Sequence, residues 1–219
     1  MLVQAVKRQT TAGYVADALR AEIQSGRMSD GTELNQVALA EHFGISRVPV
    51  REALRALEAE GWITAMPHRR AVVAAVSPQR IAETFEIRAL LETHLIEKVI
   101  ERIGPEDIQR LKAACNTMDE LTDHQEWVAA NAAFHRELLA SARSPMALEL
   151  VTQLSSQVER YLRLSGESVI RENEAGGEHR DIVAAVAARD VELARRLIRT
   201  HIDNTRQRVV DAIGEEENS

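Results

Sequence analysis

Apolar side chains recur at three- and four-residue steps along most of this 219-residue chain, the spacing of one face of an α-helix. Val15, Leu19 and Ile23 are four apart, so residues 14–25 read as a helix closed by Gly26. Residues 37–43 read as a second, shorter helix. Gly44 follows it, and glycine takes the left-handed conformation that ends a helix at little cost. Ser46 is then a good N-cap, because its hydroxyl can accept from a first-turn N–H, and Pro49 lacks an N–H where none is needed. Val50, Ala53, Leu54 and Leu57 supply that third helix with its apolar face, and Gly61 ends it. The period then changes. Residues 62–65 and 71–74 read as two short strands around the polar tip Pro67-His68-Arg69-Arg70.

From Ser77-Pro78, an N-cap followed by proline at the first helical position, the helical period returns and persists. Helices are expected over 78–103, 105–122, 125–142, 145–165, 178–189 and 191–213. Gly104-Pro105, Thr122-Asp123-His124, Ser144-Pro145, Gly176-Gly177 and Asp190 separate them. Short connections between long helices imply a compact antiparallel bundle. The fold class is therefore mainly α: a winged helix-turn-helix over 1–76, then an antiparallel six- to seven-helix bundle over 77–219.

Arg47, Arg51 and Arg55 recur every four residues on one face of the third helix. Guanidinium groups on a helix that follows a short helix and a glycine turn can fork onto guanine edges or phosphates in a major groove. The bland alternative is a solvated face on which Glu52 or Glu58 pairs with Arg55. The basic tip His68-Arg69-Arg70 forms a wing whose arginines can reach phosphate or a minor groove. A net charge of −7 argues against nucleic acid only until its distribution is examined. Residues 1–76 carry nine Lys/Arg against eight Asp/Glu, a net of +1, which leaves 18 basic and 26 acidic residues, a net of −8, for the bundle. The single cysteine, Cys115, excludes an intramolecular disulfide and a thiolate metal cluster. No apolar run is long enough to span a membrane and no signal peptide is visible, so a cytoplasmic protein without membrane contact is expected.

Within the bundle, Asn131, Phe134, His135 and Leu138 share one side of a helix, with Asn131 and His135 at the i, i+4 spacing of two ligands for one ion. His179 lies with Ile182, Val183 and Val186, and His201 with Ala194, Leu197, Ile198 and Thr205. Three histidines alone on three apolar faces can converge on a divalent cation, zinc or nickel by ligand type. Each can equally be a core histidine bonded to a carbonyl or water. Arg88 lies on an inward stripe with Ile81, Phe85, Glu92 and Leu95. A buried guanidinium needs an anion, either Glu92 at i+4 or the carboxylate of a small ligand.

Two sets of motifs carry a family resemblance. Leu39-Ala40-Glu41, Gly44-Ile45-Ser46-Arg47, Pro49-Val50-Arg51-Glu52-Ala53-Leu54 and Leu57-Glu58-Ala59-Glu60-Gly61 resemble the winged helix of the GntR family of bacterial transcription regulators. Glu86-Ile87-Arg88-Ala89-Leu90-Leu91-Glu92, Asn131-Ala132-Ala133-Phe134-His135, Glu178-His179-Arg180-Asp181-Ile182, Ala188-Arg189-Asp190 and His201-Ile202 resemble the effector domain of its FadR subfamily. The resemblance implies a homodimeric repressor on a palindromic DNA operator, with Ser46, Arg47, Pro49, Arg51, Arg55, His68, Arg69 and Arg70 at the DNA. It also implies a divalent metal held by His135, His179 and His201, and a small carboxylate or sugar-acid effector bound beside it, near Arg88 and Glu92. Three positions depart from the family pattern: Asn131 stands where an aspartate is usual, Arg70 where the wing often has glycine, and Val37 where some relatives place a DNA-contacting arginine. Two other functions share the same residues. The metal can be the signal or a structural element without an organic effector, or the histidines can serve a metal hydrolase with Glu178 as general base.

Overall fold

The computed structural model describes residues 10–66, 70–75, 77–165 and 174–216. The chain divides into two compact units, Met1–Val76 and Ser77–Ser219.

The first unit contains helices α1 (Thr11–Gln24), α2 (Gln36–Phe43) and α3 (Arg47–Ala59) and strands β1 (Glu33–Asn35), β2 (Ile63–Met66) and β3 (Arg70–Val73). The strands form an antiparallel sheet in the order β1-β3-β2. The two expected strands are present, β2 one residue later and β3 one residue earlier than read, and the Ala74 N–H still donates to the Trp62 carbonyl at 3.0 Å beyond their ends. β1 was not legible: three residues have no measurable period, and they become a strand only through pairing with β3. The α2–α3 turn forms as read. Gly44 is left-handed, with φ of 65°, and the Ile45 N–H returns to the Ala40 carbonyl at 3.0 Å, closing the helix. Ser46 occupies the N-cap position but its hydroxyl makes no cap bond, contrary to the expectation. It is exposed, so water can satisfy the first-turn N–H groups. Val15, Leu19, Ile23, Leu34, Val50, Leu54, Leu57 and Trp62 fill the core beneath α3. Arg20 forks onto the Glu60 carboxylate and ties α1 to the end of α3.

Among the described residues the second unit has six helices: α4 (Pro78–Arg102), α5 (Pro105–Glu120), α6 (His124–Ala140), α7 (Pro145–Leu164), α8 (Glu174–Ala187) and α9 (Val191–Glu216). The Ser77 hydroxyl accepts from the Arg80 N–H at 3.2 Å and Pro78 opens α4, as expected. Asp123 and Asp190 accept N–H groups in the same way at α6 and α9. α8 begins four residues earlier than its expected start, so Gly176-Gly177 lies inside its first turn instead of separating helices. Glycine weakens a helix without forbidding one. α4 runs through the middle of the unit, with α9, α7 and α6 against it. Its buried face, Ile81, Phe85, Ala89, Leu95 and Val99, also carries Arg88 and Glu92 into the interior. No described helix is long and apolar enough to cross a membrane.

Candidate functional site

Each unit carries one constellation of functional side chains. On α3 the apolar face is buried, which forces Arg47, Arg51 and Arg55 outward into water. None of the three has an ion-pair partner among the described residues, so the pairing of Arg55 with Glu52 or Glu58 is not formed. With Arg70 they line a hollow of about 410 Å³ between α3 and the sheet. Arg70 pairs across the strands with Glu33 at 3.0 Å, so its charge is partly neutralised before any phosphate arrives. Pro49 sits in the first turn, half-buried. His68 and Arg69 lie outside the described residues.

In the second unit, α6, α8 and α9 bring His135, His179 and His201 together. All three are buried, and one ring nitrogen of each lies within 4.8 Å of those of the others. Their surroundings decide which nitrogen faces inward. His135 Nδ1 bonds Glu92 Oε2 at 3.1 Å, and His201 Nδ1 bonds Glu178 Oε2 at 2.8 Å. A carboxylate accepts, so each Nδ1 carries the proton and donates. In the neutral rings both Nε2 atoms are then bare acceptors, and they face each other at 3.2 Å. Two lone pairs at that distance repel unless a cation or a shared proton lies between them. Two nitrogens bound at about 2.1 Å to one ion are about 3.0 Å apart at a right angle and about 3.4 Å apart at a tetrahedral angle, which brackets the observed spacing. His179 completes the cluster, its ring centroid 4.5 Å from that of His201 and 5.7 Å from that of His135. Phe134 and Trp127 meet it edge-on.

Asn131 lies one turn before His135 on α6. It is buried, and its side-chain oxygen has no hydrogen-bond partner among the described residues. An orphaned buried carbonyl is costly, and a cation or a donor on a bound molecule would relieve it. The donor set of three imidazoles and one neutral oxygen therefore fits a divalent transition metal.

Behind the histidines stand two carboxylates, Glu92 fully buried and Glu178 half-buried. Burial alone would raise the Glu92 carboxyl, but the charges of Arg88 and His135 hold it down to about 2. Arg88 Nε donates to the opposite carboxylate oxygen, so arginine, glutamate and histidine form one line. Burial and the Arg88 charge push the His135 imidazole down to about 4, which keeps the ring neutral near pH 7. Glu178 is also lowered, burial being outweighed by its bonds to His201 and Asn204 and by the Arg208 charge. The carboxylates orient the rings, as second partners of metal-binding histidines commonly do. This role of Glu92 and Glu178, and the supporting Asn204 and Arg208, were missed from sequence. The spacing 201, 204, 208 on one face of α9 was the signal available.

Known proteins sharpen the picture. Residues 83–204 match the FCD domain, and residues 11–73 match the bacterial regulatory proteins of the gntR family. The chain belongs to the GntR family. This GntR-family protein is 27% identical over 218 residues to the gluconate operon transcriptional repressor of Bacillus licheniformis, covering 94% of this chain and 88% of that one. It is 29% identical over 197 residues to the HTH-type transcriptional repressor GlaR of Escherichia coli (strain K12), covering 84% and 89%. Its fold resembles that of E. coli McbR/YncC, with a TM-score of 0.74 at 22% identity over 94% of this chain and 99% of that one. The family and these relatives are transcription regulators, not enzymes. Glu178, committed to His201, Asn204 and Arg208, is accordingly a structural carboxylate and not a general base.

Proposed function

We propose that this GntR-family regulator, of the FadR subfamily, is a cytoplasmic repressor that binds a palindromic operator as a homodimer and releases it on sensing a small organic acid at a metal-assisted site. One observation carries the sensing half: two imidazoles with carboxylate-fixed tautomers present bare Nε2 atoms to a common point, beside a buried oxygen without a partner among the described residues. His135, His179, His201 and Asn131 would hold the cation, zinc or nickel. Once bound it supplies a positive charge to which an effector carboxylate can be drawn. Asn131 brings no charge of its own, so the site binds metal more weakly than one with aspartate there. A relative named for a gluconate operon makes sugar acids the first effector class to test.

Arg47, Arg51 and Arg55 contact bases and phosphates, Ser46 and Pro49 bring the helix start close to the backbone, and His68, Arg69 and Arg70 reach from the wing. For the homodimer, support comes from α4 and α7. Among the described residues, the exposed large apolar side chains of the second unit, Ile87, Leu90, Met146 and Leu150, all lie on these two neighbouring helices. A concentrated apolar face of this kind marks an interface, and a second copy answers the two-fold symmetry of a palindrome.

A second reading has its own observation. Arg88, the candidate anchor for an effector carboxylate, is already paired with Glu92, as it would be if the metal were the signal or a structural element. Thermal unfolding separates the two. The protein is melted with a panel of sugar and organic acids, before and after chelation, and with zinc or nickel restored. An acid that raises the melting temperature only of the metal-loaded protein supports acid sensing. Stabilisation by metal alone, with no response to any acid, supports the second reading. Indifference to both returns the histidines to ordinary core residues.

A further inference from the structure

The apolar side chains that hold α3 in place, Val50, Ala53, Leu54 and Leu57, are all buried, yet Val48 in its first turn stands 50% exposed. At about 100° per residue, Val48 falls about 20° from Arg55 and about 60° from Arg51 around the helix axis. It therefore shares the arginine face. Its presence there does nothing for the helix: a β-branched side chain in water has lower helix propensity than alanine and buries nothing. It cannot bond a phosphate either. On a face that enters a major groove, the apolar group it can meet is the C5 methyl of thymine, and residues at the start of such a helix are those that reach base edges.

We propose that Val48 is a specificity-determining residue that selects thymine at one position of each operator half-site through its methyl group, while the arginines beside it supply the polar contacts. This rests on the reading of α3 as the operator-reading helix. Contact with one methyl removes little surface from water, so the preference is modest, about fourfold in affinity for one buried carbon.

The full chain is first used to select its operator from a duplex library with a randomised core. Each thymine of the selected duplex is then replaced singly by uracil, which deletes only the methyl, and affinity is followed by fluorescence anisotropy. At one thymine per half-site the wild-type protein should lose about fourfold, whereas Val48→Ala should bind the thymine and uracil duplexes equally. Arg51→Ala should bind more weakly throughout yet keep the thymine preference. Indifference of the wild type to uracil at every position overturns the proposal and leaves operator reading intact, as does a preference that survives in Val48→Ala. Failure to enrich any sequence overturns operator reading itself, and this proposal with it. Because Val48 is exposed, the unchanged circular dichroism expected of Val48→Ala confirms that it is folded.

Discussion

Arg47, Arg51 and Arg55 stand in water with no ion-pair partner among the described residues, whereas His135 and His201 are buried with each Nδ1 already bonded to a carboxylate. The first constellation is held in place only by the apolar underside of its helix. The second is a network in which arginine, glutamate and histidine determine one another's charge and orientation. An exposed face can therefore be rewritten without touching stability, because its donors are solvated in both the folded and the unfolded protein. A buried network cannot, because every polar atom removed leaves a partner stranded in low dielectric.

Glu92→Ala gives the largest test of this contrast. It leaves the Arg88 guanidinium buried without its anion and His135 Nδ1 without its acceptor, and unfolding in denaturant should show a loss of about 3–5 kcal/mol. A loss below 1 kcal/mol would mean that the pair is not buried as described. Arg51→Ala should show the opposite behaviour: an unchanged melting temperature and operator binding weakened by about 1–3 kcal/mol, measured by anisotropy. Should Arg51→Ala destabilise the fold, the two regions would not differ in the way stated.

Glu178→Gln tests the buried network more gently. The amide keeps the shape but loses the charge that orients His201, so metal affinity measured by competition with a chelator should fall about 10- to 100-fold. Unaltered affinity would remove Glu178 from the site. The smallest effect per step is that of pH on chelated protein. His135 is neutral when folded, at about 4, and takes up a proton on unfolding below its ordinary 6.5. The unfolded state then binds more protons, so stability falls as pH drops from 6.5 towards 4, by at most about 1.4 kcal/mol per pH unit. Glu92, at about 2 when folded against an ordinary 4.5, adds its own loss as pH falls from 4.5 towards 2, overlapping the lower end of that window. The chelated protein should show a melting temperature that declines through this range.

The two regions also differed in how much of them could be read in advance. The arginine face follows from spacing alone, because a helix turns about 100° per residue and its apolar side must go inward. The Gly44 turn and the Ser77-Pro78 start of α4 followed from local backbone chemistry. β1 did not, because its strand character lies in its partner, and neither did the start of α8, where the helix runs through two glycines. For the histidines, sequence could show only that each occupies an apolar face.

By itself the sequence determined the periods, the Ser77 cap of α4, the turn between α2 and α3 and the outward direction of three arginines, since each depends on residues a few positions apart. Only the tertiary structure decided that His135, His179 and His201 meet, and that Glu92 is shared between Arg88 and His135. It also decided that Glu178, 23 residues from His201, sets that ring's tautomer, and that the Asn131 oxygen is left without a partner among the described residues. Those are distances and burials between different helices. They come from the packing of the bundle as a whole, which no local run of residues encodes.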